Sequence, residues 1–158
     1  MGAQFAFGYP VVVVHVDAAG KLASKLPEVT VGTRYGNRTW LVGTKGFAWE
    51  RPFSKADLRR FGDAPVPSGP IFAVRVADLR AKEAVLAAGT RGVFTIPHFD
   101  GYAAVLIQLD VVSVRDLRRL VTDAWMCCVP PSITAQGHVQ PRTKRSGRPT
   151  RSRPSRPR

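Results

Sequence analysis

Apolar positions recur at two spacings along this chain, and the switches between them divide it into short elements. The strongest strand signal is residues 93–109. Two runs rich in β-branched and other apolar residues, 93–96 and 103–109, flank Pro97 and Asp100-Gly101, which stop regular pairing, so the stretch predicts a hairpin. Its tip displays His98, Phe99 and Tyr102. Upstream, glycines punctuate residues 32–46 and predict a strand at 38–42, a turn at 43–46 and an antiparallel return at 47–51. Side chains alternate across a strand, so Arg38, Trp40 and Val42 share one face, and Phe47, Trp49 and Arg51 share one face of the next strand. Large rings usually supply burial, which assigns both Trp40 and Trp49 to the core. Residues 71–76 read as a third strand carrying one basic side chain, Arg75.

Helical spacing and capping residues mark the remaining elements. Asp17 is read as the cap of a helix over 18–26, with Leu22 and Leu26 on one face and Pro27 as its stop. Ser54 followed by Asp57 resembles a capping box and predicts a short helix through Phe61, ended by Gly62, before a proline-rich loop at 63–70. Asp78 caps a helix to about residue 88, with Leu79, Ala84 and Leu86 as a partial apolar face and Gly89 as its end. Ser113 caps the last helix. There Leu117, Leu120, Val121, Ala124 and Cys128 follow the helical period, Arg115, Asp116, Arg118, Arg119 and Asp123 take the other side, and Pro130-Pro131 closes it. The order is helix, two strands, a helical loop, a third strand, helix, two strands, helix. It predicts an α+β fold with an antiparallel sheet covered on one face.

Composition changes this picture mainly at the ends. The chain has 158 residues, enough for one ordinary domain with extensions, and a formal charge of +13. Eight of its 24 basic residues lie in 142–158, which has no acid, so the remainder holds 16 basic against 11 acidic residues, a modest excess. Residues 131–158 are read as a disordered Arg/Pro/Ser tail, and residues 1–16 as an extension or added edge strand, leaving a domain at 17–130. The two cysteines, Cys127 and Cys128, are adjacent, a spacing that neither closes an unstrained disulfide nor provides a zinc knuckle. A reducing, cytoplasmic setting is expected, with no metal, no cofactor and no membrane partner, since no apolar run approaches the roughly 18–20 residues of a span.

Four ordered blocks carry a resemblance to a known family: Leu26-Pro27-Glu28-Val29-Thr30, Tyr35-Gly36-Asn37-Arg38-Thr39-Trp40, residues 42–49 around the first hairpin, and Phe94-Thr95-Ile96-Pro97-His98-Phe99-Asp100-Gly101-Tyr102, followed by Asp123-Ala124-Trp125. In these blocks the chain, over residues 17–125, resembles the MmcQ/YjbR family of small bacterial proteins. The resemblance implies a two-layer α-β(3)-α-β(2)-α fold, similar in shape to type III secretion chaperones. Members are commonly named DNA-binding proteins because their paired hairpins resemble a double-wing DNA-binding domain.

Three classes of function follow as expectations. DNA binding would set Arg34, Arg38, Lys45, Arg51 and Arg75 on phosphates, with His98 or Tyr102 near a groove edge. The tail residues Arg142, Lys144, Arg145, Arg148, Arg151 and Arg153 would add sequence-independent phosphate contacts. A chaperone-like module would instead present Trp40, Trp49, Phe99 and Tyr102 as an exposed patch for a protein partner or a second copy. Catalysis has little to rest on: there is no phosphate loop or nucleophile elbow, and His98 with Asp100 is the single acid/base-like pairing. No catalytic residue is assigned.

Overall fold

The computed structural model describes residues 14–136, so the predicted N-terminal extension as far as residue 13 and the basic tail residues from Arg142 onward lie outside the described part. The elements are α1 (Val16–Ser24), β1 (Val29–Arg34), β2 (Asn37–Val42), β3 (Lys45–Glu50), α2 (Lys55–Phe61), β4 (Ile71–Arg75), α3 (Leu79–Ala87), β5 (Val93–Phe94), a 3-10 turn (Pro97–Phe99), β6 (Ala104–Gln108), α4 (Val114–Cys128) and α5 (Pro131–Gln136). The strands form one six-stranded sheet in the order β1-β2-β3-β4-β6-β5, with every neighbouring pair antiparallel. This is an α+β, two-layer arrangement.

Three of the predicted caps are made as their spacing dictates. Ser54 and Asp57 form a complete capping box at α2. The Asp78 carboxylate accepts from the Ala81 amide at α3, and Ser113 Oγ accepts from the Asp116 amide at α4. Each satisfies a helix-end N–H that would otherwise lack a partner. Asp17 behaves differently. α1 starts at Val16 with His15 at the cap position, so Asp17 sits inside the first turn and its carboxylate pairs with Arg38 of β2 at 3.0 Å. The helix also ends at Ser24, short of Leu26.

The sheet has one strand more than the five expected. β1 pairs residue for residue with β2, from Val29 opposite Val42 to Arg34 opposite Asn37. It is an edge strand with Thr30, Val31, Thr33 and Arg34 all exposed, so it carries no alternating burial for a sequence reading to detect. The turn that joins it to β2 places Tyr35 at φ 51° and Gly36 at φ 77°. Two left-handed residues match the hairpin turn that suits strand twist, but a tyrosine in the first position bears a Cβ clash that glycine avoids.

A bulge in β3 overturns the expected face assignment. Trp40 pairs with Ala48 while Leu41 pairs with Gly46, which leaves Phe47 as an extra, unpaired residue. Phe47 therefore joins Trp40 and Val42 on the helix side of the sheet, while Trp49 turns to the opposite side. Trp40 is 1% exposed, packs against Phe72 at 5.3 Å between ring centres and donates its indole N–H to Ser24 Oγ. Its ring lies so close to Gly20 that a Cβ there would meet it at 2.4 Å, which explains a glycine in mid-helix.

The helix-side core joins α1 and α4 to β2, β3, β4 and β6 through Trp40, Phe47, Phe72, Val105, Ile107, Leu117 and Val121. All five predicted apolar positions of α4 are buried, as is Trp125, which donates to the Pro27 carbonyl. α5 follows within the region read as tail, with Ile133 packed on this core. The second side is not bare, contrary to the expectation of one covered face. Ile71, Ala73, Ile96, Phe99, Ala104 and Leu106 form a smaller cluster there with Phe53, Phe61 and Phe94. β4 and β6 are thus covered on both faces, which explains their continuous apolar runs.

The apolar face expected for α3 is rotated. Ala81, Val85 and Leu86 pack on the core and Lys82 is buried, whereas Leu79 is exposed and Ala84 faces outward. A lysine occupies an inward position because its ammonium finds two backbone carbonyls, as described below. Among the described residues, no helix is long and apolar enough to cross a membrane.

Candidate functional site

The second side of the sheet remains open over β2, β3 and the end of β4, and there a recess of about 860 Å³ is formed. This is within the range of about 300–1,000 Å³ typical of ligand pockets. Asn37, Thr39, Gly46 and Trp49 line it from the sheet, and Tyr35 does so from the β1–β2 turn. Pro52, Phe53 and Ser54 contribute from the chain entering α2, and His98, Phe99 and Tyr102 from the loop between β5 and β6. Arg34, Arg51 and Arg75 complete the lining, and no carboxylate is among it.

The structure therefore brings together five of the seven body residues expected to meet nucleic acid: Arg34, Arg51, Arg75, His98 and Tyr102. The other two stand apart. Arg38 points to the helix side, where Asp17 lies at 3.0 Å and the carboxylate of Glu50 also holds it. Those two acids raise its already high pKa, chiefly through the hydrogen bond to Glu50. Lys45 is exposed beside the β2–β3 turn and does not line the recess.

The three arginines of the recess differ in what balances them. Arg51 donates to Asp57 Oδ2 at 2.9 Å, and the Asp57 side chain is 1% exposed. Burial pushes the Asp57 carboxyl up, but hydrogen bonds from the Ser54 amide, the Ser54 hydroxyl and Arg51 outweigh it and hold the group below the ordinary 3.8. Arg34 and Arg75 make no salt bridge among the described residues. Carbonyls position them instead: Arg34 donates to Thr44 O at 2.5 Å, and Arg75 Nε donates to Gly46 O at 2.9 Å.

Aromatic rings form the adjoining wall. Trp49 lies 6.5 Å from Phe99 and 6.3 Å from Tyr102 between ring centres, and Phe99 and Tyr102 meet edge to face at 5.6 Å. The Arg75 guanidinium sits over Tyr102 and that of Arg51 over Phe99, at 5.7 and 5.5 Å from the ring centres, so the cations and rings are held as one surface. The exposed patch of Trp40, Trp49, Phe99 and Tyr102 does not exist as expected. Trp40 is buried on the opposite side and Phe99 is 3% exposed. Trp49 and Tyr102 are the members of that set that reach the recess with accessible surface.

Lys82 is the residue whose part was missed. Its ammonium donates to the Phe99 carbonyl at 2.5 Å and the Tyr102 carbonyl at 3.0 Å, pinning the loop that forms one wall. Burial pushes its pKa down from the ordinary 10.5, partly countered by the nearby Asp100. Its place three and four residues before Val85 and Leu86 is the sequence signal that could have found it. His98 and Asp100 share no hydrogen bond, and among the described residues no three His, Cys, Asp or Glu side chains cluster as metal ligands.

Fold and site together define a two-layer α+β protein with an arginine-bearing aromatic recess on one sheet face. The chain is similar to Rv2570 of Mycobacterium tuberculosis strain H37Rv, MT2646 of strain CDC 1551 and Mb2600 of Mycobacterium bovis, each 48% identical over 97 residues that cover 60% of this chain and 74% of the relative. It belongs to the family of these mycobacterial proteins, which carry the name of uncharacterized proteins. No protein-family profile and no solved structure matches it.

Proposed function

We propose that this protein binds nucleic acid on the open face of its sheet, without catalysis, and that the strand enters the recess with a base unstacked. The observation that carries the reading is the presence of two arginines without carboxylate partners among the described residues, beside accessible aromatic rings. Proteins that hold single strands combine a positive track for phosphates with rings on which bases stack, each stack contributing about 1–3 kcal/mol. A recess walled by the β1–β2 turn, the α2 approach and the β5–β6 loop suits an extruded base better than the convex surface of a duplex.

This reading retains the DNA-binding expectation attached to the MmcQ/YjbR resemblance and centres the contact on the sheet face between the paired hairpins. The basic residues of the tail, Arg142, Lys144, Arg145, Arg148, Arg151 and Arg153, would add salt-sensitive contacts without sequence preference. A cytoplasmic setting belongs to the same proposal, supported by two free cysteines, Cys127 exposed and Cys128 buried.

The test is anisotropy of labelled single-stranded and duplex DNA of equal length, with the full chain and with residues 142–158 removed. The expected result is that truncation weakens both interactions but a preference for the single strand survives. Complete loss of binding on truncation would assign all of the affinity to the tail and refute a role for the recess.

A further inference from the structure

Arg34 and Arg75 come from strands at different positions in the sheet yet converge on one residue, Gly46 of β3. Arg75 Nε donates to the Gly46 carbonyl, and a Cβ placed on Gly46 would come within 3.7 Å of Arg34 Nη1 and 3.0 Å of Thr39 Cγ2. Gly46 is itself buried in the wall of the recess and close-packed against Thr39, so the two guanidinium groups flank a narrow notch of backbone there and not an open cavity. Each guanidinium has five N–H donors in a planar fork. Carbonyls occupy one on Arg34 and one on Arg75, and Tyr102 Oη lies 3.3 Å from Arg75 Nη2, which leaves donors free on both groups. The carbonyl contacts fix the forks in direction without neutralising their charge.

The balance of charge narrows what fits. Two guanidinium groups without a carboxylate carry two positive charges at the notch, and a phosphodiester within a strand supplies one negative charge. A phosphomonoester carries about −1.5 to −2 at neutral pH and three terminal oxygens. Trp49 and Tyr102 stand beside the notch on the same face, where a ring attached to that phosphate would lie.

We infer that the Arg34–Gly46–Arg75 notch is a subsite for a phosphomonoester borne by a nucleoside, either at a strand end or on a free nucleotide. The inference rests on the nucleic-acid reading above and sharpens it from strand binding to recognition of a terminal phosphate. Tyr35, 102% exposed at the mouth of the recess and held in a left-handed conformation, is placed to close over the base.

The chain provides its own reporter. Of its three tryptophans, Trp40 and Trp125 are buried on the helix side, and Trp49 lines the recess, so quenching by a stacked base reads Trp49. The full chain is titrated with thymidine 5′-monophosphate, with thymidine octamers bearing a 5′-phosphate, a 3′-phosphate or neither, and with inorganic phosphate as competitor. The expected result is that a phosphorylated octamer or the mononucleotide quenches at about tenfold lower concentration than the unphosphorylated octamer, the factor that one further charge-assisted contact supplies. Which phosphorylated probe is tightest identifies the source.

The preference should disappear in Arg34→Gln, an exposed position whose change spares the core, and in Gly46→Ala, with melting curves confirming that both variants fold. Equal affinity for phosphorylated and unphosphorylated octamers would overturn the subsite and leave the strand-binding reading standing. Absence of quenching by any probe would overturn both. A preference that persists in both variants would place the phosphate elsewhere.

Discussion

The two faces of this sheet use similar residues to opposite ends. On the helix side, Trp40 is buried under α1, its N–H satisfied by Ser24, and the neighbouring Arg38 is held by Asp17 and Glu50. On the open side, Trp49 keeps accessible surface, and Arg34 and Arg75 are oriented by carbonyls that leave their charge uncompensated. An arginine beside a tryptophan is therefore not informative in itself. The informative difference is whether the fold supplies the counter-charge, because a cation left without one beside an aromatic wall is ready for an anion from outside.

Substitutions that treat the two faces alike should give different results. Trp40→Ala removes a fully enclosed ring and is expected to cost about 3–5 kcal/mol in chemical denaturation. Trp49→Ala should cost much less and abolish the fluorescence response to ligand instead. A comparable stability loss at both positions would erase the distinction.

Asp57 tests the one arginine of the recess that does have a partner. Asp57→Ala leaves the Arg51 charge unpaired and removes the α2 capping box, with an expected loss of about 3 kcal/mol, typical of breaking a buried pair on one side. Because the folded carboxyl titrates below its ordinary value, its contribution is complete above pH 3.8 and is lost as the pH falls through the folded value. The stability gap between wild type and variant, followed by melting, should narrow as the pH drops below that point. A gap that stays constant down to pH 2 would show that the charge is not what Asp57 contributes.

A smaller effect is expected for Lys82→Met, which keeps the stem of the side chain and deletes its two bonds to the β5–β6 loop. Stability should fall by about 1.5–3 kcal/mol, the range for hydrogen bonds to charged groups. Amide exchange over residues 95–103 should rise while that of α4 stays unchanged. Uniform acceleration across the sheet would contradict a local role as the pin of one wall.

How much of this could be read from the sequence depended on how local the cause was. The caps at Ser54, Asp78 and Ser113 and the inward stripe of α4 were legible because each is decided within a few residues of itself. β1 was not, since an edge strand exposed at Thr30, Val31 and Thr33 shows no alternation and is recognised only by its pairing with β2. The reversal of Trp49 needed the extra residue at Phe47, a register event between strands that leaves no mark on composition.

The site was legible in the same uneven way. Arg34, Arg51, Arg75, His98 and Tyr102 are legible because hairpin ends and strand exits tend to be exposed, yet in sequence Arg38 is equivalent to Arg34 and Arg75. Its partners Asp17 and Glu50, 21 and 12 positions away, tell them apart. Lys82 carries only the weak signal of its spacing to Val85 and Leu86, because the carbonyls that hold its ammonium lie 17 and 20 positions along the chain.

The most direct measurement is the salt dependence of single-strand binding by the full chain compared with Arg34→Gln/Arg75→Gln. The substituted residues line the recess and are remote from the helix-side core, so stability should stay within about 0.5 kcal/mol. If the recess takes phosphates through these two groups, the slope of log affinity against log salt concentration should become shallower by about 1.4, from about 0.7 per phosphate contact on a single strand. An unchanged slope and affinity would mean that the uncompensated arginines of the open face do not receive the strand.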